Sequence, residues 1–454
     1  MSTSSTPNIV TRFPPSPTGP MHVGTVRTLL FNYYFAKQQG GICRFRIEDT
    51  DKERSKPEYA QYVRDCLRWL NIELDGEEYA QSAHAPRHAQ CMQQLIDKDM
   101  AYISKEKNEQ GVEREVVRFR NPGTKVAFTD LIRGDIEFDT TDLKDFVIGR
   151  TINDPVYHLA VVVDDADMGV THVIRGEDHI SNTARQILIQ RALGFPQPAY
   201  AHLPLILAED RSKLSKRKHG DLVAALYYRD QGYEPEALCN FLSLLGWNPG
   251  TDQEIFSREE LIKLFSFDRV QKAGAIFNIE KLRHINREYI RAMPADARRN
   301  KINERLIKKN MQPDQFNDAQ LQTLYAALDE RIHTFADIDA LVDAGGELSF
   351  IGKDHYAAPD KDRITWKKST PEMALTHLAG VKKLLEDAPA EAWNSPEAIK
   401  ETVWPYVEIN GKGDVLWPLR MTLTGLQASP DPFACLALLG RIESLRRIQL
   451  QLDQ

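Results

Sequence analysis

Two stretches of this chain carry residue types, at spacings, that suit phosphate chemistry. The first is Arg12-Phe13-Pro14-Pro15-Ser16-Pro17-Thr18-Gly19-Pro20-Met21-His22-Val23-Gly24-Thr25. Prolines and Gly19 forbid a helix across Ser16–Pro20, whereas Val26, Leu29, Leu30, Tyr33 and Tyr34 recur at three and four positions after His22. The pattern is a strand, a rigid loop and a helix that opens on a histidine and a glycine. The unpaired amides and positive dipole end of such a helix make a seat for phosphates. Gly24 lets backbone lie close to a flat nucleobase or ribose. His22 can donate a hydrogen bond to a phosphoryl oxygen whose charge grows in the transition state. A histidine beside a helix start fits a satisfied structural role equally well.

The second stretch is Lys213-Leu214-Ser215-Lys216-Arg217-Lys218, inside a run from Arg211 to Lys218 with five basic residues among eight and no acid. Such a run is commonly a solvated face or a nonspecific nucleic-acid patch. As a mobile loop it would close on a pyrophosphate leaving group, with Lys216 neutralising charge only as the reaction proceeds.

Around these stretches the chain alternates strand and helix. Ile9–Phe13 and Ile42–Ile47 read as strands, the pattern after His22 and Glu58–Leu70 as helices, which is the βαβ unit of a doubly wound parallel sheet. Val116–Phe119, Val126–Phe128 and Ile136–Phe138 are strand-like and read as an antiparallel insertion. The α/β pattern resumes with Val170–Ile174, Ser181–Leu193 and His202–Leu207. From Asp221 helices dominate, and after Ala295 the pattern is almost wholly helical, with breaks expected at Gly345-Gly346, Pro371, Pro389, Pro405 and Pro430.

In this order the two stretches resemble the paired motifs of the class I aminoacyl-tRNA synthetases, carried here by His22-Val23-Gly24-Thr25 and Lys213-Leu214-Ser215-Lys216-Arg217. The finer resemblance is to glutamyl-tRNA synthetases. It rests on the Arg12-to-Gly19 loop, Arg46-Ile47-Glu48-Asp49-Thr50-Asp51, Tyr157-His158-Leu159-Ala160 and Val173-Ile174-Arg175-Gly176-Glu177-Asp178-His179. It implies a Rossmann-type catalytic domain over residues 1–100 and 151–225 with a small α+β insertion at 101–150. A helical stem-contact region at 226–295 and an all-helical anticodon-binding domain at 296–454 would follow.

The resemblance also implies roles. His22, Lys213 and Lys216 would be catalytic. Arg12, Tyr157 and Arg175 would surround the carboxylates of L-glutamate, while Ser16 and Glu48 hold its ammonium, so that Glu48 has to stay ionised. Gly19, His22, Gly24, Thr25, Glu177 and Lys216 would contact ATP, which enters with Mg²⁺ as a substrate complex. Glutamate and glutamine are nearly isosteric, and a buried guanidinium separates them because an amide leaves it uncompensated. Each residue alone has a bland reading: Arg12 pairing with Glu48 or Asp49, Tyr157 as core. Relatives often carry a zinc knuckle in the insertion, but Lys105–Arg150 contains no cysteine or histidine, so no zinc is expected.

Bulk properties fit this picture. A length of 454 residues exceeds one ordinary core, so several domains are expected. The most apolar stretches fall short of the roughly 20 residues of a membrane span, and Met1–Pro7 carries no secretion pattern. Five scattered cysteines suggest reduced thiols in a cytoplasm. The net charge of −7 argues mildly against a phosphate-rich partner, though binding depends on where cations cluster. The partners expected are tRNA(Glu), glutamate and ATP, with the enzyme a monomer. The alternatives are a non-discriminating form that also charges tRNA(Gln) with glutamate, a tRNA-modifying paralogue that lacks the helical end, a glutaminyl enzyme with a β-barrel carboxyl part, and a noncatalytic module. Trp366, Trp404 and Trp417, with Arg331, Arg363, Lys367 and Lys368, are candidates for anticodon contact or simply for the core and surface.

Overall fold

The computed structural model describes residues 9–107, 111, 113–351 and 356–454, which leaves the lead-in Met1–Pro7 outside. The chain divides into two compact units, Met1–Ile285 and Asn286–Gln454.

The first unit opens with β1 (Val10–Phe13), α1 (Val23–Gln38), β2 (Ile42–Ile47), α2 (Pro57–Trp69), β3 (Asp75–Ala80) and α3 (Ala85–Asp97). It continues through β4 (Ala101–Lys107), β5 (Glu113–Phe119), β6 (Lys125–Asp130), β7 (Gly134–Asp139), β8 (Phe146–Thr151) and β9 (Asp154–Pro155). Then come α4 (Tyr157–Asp167), β10 (His172–Gly176), α5 (Ile180–Leu193), β11 (Ala199–Leu203), β12 (Ile206–Leu207) and the short α6 (Lys216–His219). Strands β1, β2 and β3 pair in parallel in that order. On the other side of β1 lies β10, held by Thr171 N donating to Val10 O at 2.9 Å, and β11 pairs with β10 in parallel. The order of the strands therefore reverses between β1 and β10, the crevice where open α/β sheets bind ligands.

The segment read as one insertion splits in two. Strands β4, β5, β8 and β9 form their own antiparallel sheet, but the β6–β7 hairpin adds to β11 through the Tyr200–Asp130 pair. Alternation explains this: Val126, Phe128 and Asp130 point inward from β6 while the residues between them are exposed, so that face must cover another layer.

In the second unit every element of eight residues or more is a helix among the described residues. Pro371, Pro396 and Pro432 each open a helix, where a missing amide costs nothing. The break expected at Pro405 does not occur. The helix Pro396–Asn410 runs through it, buried along Ile399, Val403 and Val407, and that packing holds the helix across the lost hydrogen bond. Gly440, at φ 73°, kinks the last helix, Pro432–Leu452, a conformation that suits glycine. None of the described helices is long and apolar enough to cross a membrane.

Candidate active site

Arg12 and Arg175 are the penultimate residues of β1 and β10, and the chain turns away just beyond both. Between them opens a cleft of about 630 Å³. Of the residues expected at the site, Arg12, Ser16, Gly19, His22, Gly24, Thr25, Glu48, Tyr157, Arg175, Lys213 and Lys216 all line it. Glu177 does not. Its carboxylate accepts from the Leu205 amide at 2.9 Å and pairs with Arg133.

The floor of the cleft is a buried charge cluster. Arg12 Nε donates to Asp165 Oδ1 at 3.2 Å, and Arg46 reaches the same oxygen at 2.6 Å and Glu48 at 2.9 Å. Neither bland pairing suggested for Arg12 is present: Glu48 is held by Arg46, and Asp49 accepts from the amide and hydroxyl of Ser82. Burial acts on Asp165 to raise it, but Arg46 and Arg12 outweigh it and hold the carboxyl below the usual range. For Glu48 burial wins over Arg46, and the carboxyl is pushed up. Its salt-bridge partner Arg46, at 2.9 Å, is shared with Asp165. Arg12 and Arg46 share this cluster with Asp165 and Glu48, and a third buried carboxylate, Asp164, also acts on Arg46.

Arg175 is 5% exposed. Its Nη2 donates to Thr183 Oγ1 at 2.7 Å and its Nε to His202 Nε2 at 3.3 Å, but its Nη1 is buried without a hydrogen-bond partner among the described residues. A buried donor of this kind is costly unless a ligand completes it. Tyr157, the first residue of α4, places its hydroxyl 3.1 Å from His179 Nδ1.

His22 is the N-cap of α1, and its Nδ1 accepts from the Gly24 amide at 2.9 Å. That bond leaves Nε2 as the protonated nitrogen of the neutral ring. Burial lowers the proton affinity of the ring, against a backbone hydrogen bond at Leu214 that raises it. A Cβ at position 24 would lie 3.2 Å from His22 Nδ1, so Gly24 serves the imidazole first. The basic loop is pinned by buried Leu214, whose amide donates to Ile206 O at 3.1 Å. Lys213 pairs with Asp178 at 3.1 Å, and exposed Lys216 opens α6.

Sequence reading missed Asp165, Arg46, His179, His202 and Asp130. The signal available for Asp165 was its place after an unbroken apolar run, Leu159–Val163.

The family profile described as "tRNA synthetases class I (E and Q), catalytic domain" matches residues 8–115 and 104–284, and that of an "Anticodon binding domain" matches 297–452. The chain belongs to the class I (E and Q) tRNA synthetases. It is 38% identical to a "Glutamate--tRNA ligase 1" of Alkalilimnicola ehrlichii, over 98% of each chain. Among solved structures, a glutamate tRNA ligase of Elizabethkingia meningosepticum in complex with its amino acid matches at 29% identity and a TM-score of 0.86, over 98% of this chain and 99% of that one. A glutamate-tRNA synthetase of Elizabethkingia anophelis matches at 28% identity and 0.83, over 98% and 100%. Synthetases of this class use ATP, so ATP is a substrate.

Within the second unit of this synthetase, Trp404 and Trp417 pack against the helical core. Trp366 and Trp417 stand with ring centroids 5.2 Å apart, with Lys367 over Trp366 at 4.8 Å and Arg420 over Trp417 at 4.9 Å. Arg331 is engaged by Glu347 at 2.8 Å.

Proposed function

We propose that this chain is a glutamate–tRNA ligase whose cleft activates L-glutamate with ATP and passes it to the 3′ end of tRNA(Glu). The observation that carries the reading is the buried Nη1 of Arg175, without a hydrogen-bond partner among the described residues, in a cleft that Arg12 also lines. A glutamate carboxylate supplies both the acceptor and the charge. The side-chain amide of glutamine offers one acceptor oxygen but no charge, and its NH₂ sets donors against a guanidinium that can only donate. Sites that lose a buried polar partner discriminate by roughly 10⁴-fold.

In this reading Arg12, Tyr157 and Arg175 take the carboxylates. The ammonium sits by Ser16 and Glu48, where its charge opposes the upward push of burial on the Glu48 carboxyl. An oxygen of the α-carboxylate attacks the α-phosphorus of ATP, the bond to the bridging oxygen breaks, and pyrophosphate leaves with its Mg²⁺. His22 Nε2–H donates to the phosphoryl oxygens, and Lys216 meets the charge that develops on the leaving group. Gly19, Gly24 and Thr25 line the nucleotide side. A ribose hydroxyl of the tRNA terminus then attacks the acyl carbon and AMP departs. No protein nucleophile is needed; positioning and charge suffice.

The test is charging of purified tRNA(Glu) and tRNA(Gln) with labelled glutamate or glutamine and ATP. Glutamate on tRNA(Glu) alone is the expected result, and glutamate on both would make the enzyme non-discriminating. Glutamine charging, or none at all, overturns the proposal.

A further inference from the structure

Arg175 is held from behind by a buried chain of groups. His202, on β11, is fully buried, and so is Asp130, at the end of β6. His202 Nδ1 lies 2.6 Å from Asp130 Oδ2, and its Nε2 lies 3.3 Å from Arg175 Nε and 3.0 Å from Thr183 Oγ1. An arginine Nε–H can only donate. His202 Nε2 must therefore present its lone pair, which puts the ring proton on Nδ1, aimed at Asp130. Asp130 is itself fixed by the amides of Ile132 at 3.0 Å, Arg133 at 2.9 Å and His202 at 3.1 Å. A carboxylate with that many donors stays an acceptor and cannot offer a proton back to the ring.

We infer that Asp130 and His202 are positioning residues for glutamate recognition: Asp130 fixes the His202 tautomer, and His202 with Thr183 engages Arg175 Nε and Nη2, leaving Nη1 as the nitrogen available to the substrate. A ring with the other tautomer, or a charged ring, would set an N–H against a guanidinium N–H and rotate the fork away. Burial and the neighbouring Arg175 both favour the neutral ring, against the pull of Asp130. This chain of groups also gives the β6–β7 hairpin a further purpose, because the last residue of β6 sets the orientation of an arginine on β10.

This inference rests on Arg175 being a carboxylate-binding residue, and two isosteric variants separate the two ideas. The Oε1 of a glutamine side chain falls where His202 Nε2 lies, so His202→Gln keeps the acceptor for Arg175 and gives up the Asp130 bond. The amide of an asparagine falls where Nδ1 lies, so His202→Asn keeps the Asp130 bond and gives up the acceptor. In glutamate-dependent ATP–pyrophosphate exchange with tRNA present, the KM for glutamate should stay within about threefold for His202→Gln and rise about tenfold or more for His202→Asn. The KM for ATP should hold in both. Equal glutamate KM values in the two variants, or the reverse order, overturn the positioning role, because a merely structural tie between β6 and β11 favours asparagine. If the unaltered enzyme shows no glutamate-dependent exchange, the proposed function fails instead. Should neither variant fold, ¹⁵N spectra of histidine-labelled enzyme decide: a bare Nε2 and protonated Nδ1 on His202 are expected, and a proton on Nε2 overturns the inference.

Discussion

His22 caps its own helix: Nδ1 accepts from the Gly24 amide at 2.9 Å, while a backbone hydrogen bond at Leu214 holds the ring in the lining of the cleft. Asparagine caps helices better than histidine does, so capping alone does not account for the residue. His22→Asn keeps an acceptor at the Nδ1 position and deletes Nε2–H. It should leave the melting temperature close to that of the parent while slowing adenylate formation by about 10²-fold or more. His22→Ala should do both harms, adding a loss of about 1 kcal/mol of stability. An asparagine variant with full exchange activity would leave His22 a structural cap only.

Arg12 and Arg175 look interchangeable in the sequence, as a pair whose loss would abolish glutamate use and spare the fold. Their surroundings separate them. Removing Arg12 leaves the buried Asp165 carboxylate with Arg46 alone, and breaking a buried ion pair costs about 3 kcal/mol or more. Removing Arg175 leaves behind Thr183 and His202, which are neutral and satisfy one another at 3.0 Å. Arg12→Ala should therefore lower both the unfolding midpoint in urea and activity, whereas Arg175→Ala should lose glutamate activation with a midpoint near the parent's. Denaturation and exchange assays on the two variants check this, and equal midpoints would remove Asp165 as the partner that matters for Arg12.

That asymmetry marks where sequence reading stops. The loop, the capped helix and the basic run are local, so His22, Gly24 and Lys216 are legible from spacing. The partner of Arg12 lies 153 residues away, and spacing carries no information about it. One physical clue was present. Helix α4 buries Leu159 through Asp165 without interruption, too wide a face for a surface helix. Aspartates in such a helix must find cations. Pro405 shows the opposite failure, a local rule overridden by packing along Val403 and Val407. Glu177 sits within a legible string, yet its carboxylate turns to Arg133, an orientation that no string specifies.

The buried histidines make stability depend on pH. Burial, aided by nearby arginines, pushes His158 and His179 down to about 4 from an ordinary 6.5, and His22, His172 and His202 are also lowered, chiefly by burial. Above pH 6.5 these rings are neutral in folded and unfolded chains alike. As pH falls from 6.5 toward 4 the unfolded chain takes up protons that the folded one refuses. Stability is then lost at about 1.4 kcal/mol per pH unit for each ring that stays neutral. Glu48 and Asp329, both raised chiefly by burial, oppose this. The urea midpoint should fall between pH 7 and pH 5, and a flat profile would show that these rings are not held neutral by the fold.

Lys216 and Lys213 belong to one loop but are placed to act at different moments. The loop is tied to β12 through Leu214, and Lys213 already has Asp178 as its partner at 3.1 Å. Lys216 lies just past the tie, exposed, at the mouth of the cleft. A cation in that position gains most when charge appears on the departing pyrophosphate, so it binds the transition state better than the ground state. Lys216→Ala should lower kcat for adenylate formation by about 10²-fold and move the KM for ATP little. Lys213→Ala breaks an exposed pair worth about 1 kcal/mol at most and should leave stability unchanged. Single-turnover rates set against ATP affinity decide the matter. A Lys216→Ala enzyme that binds ATP weakly yet reacts at the normal rate once saturated would assign this lysine to ground-state binding and leave the leaving group without its cation.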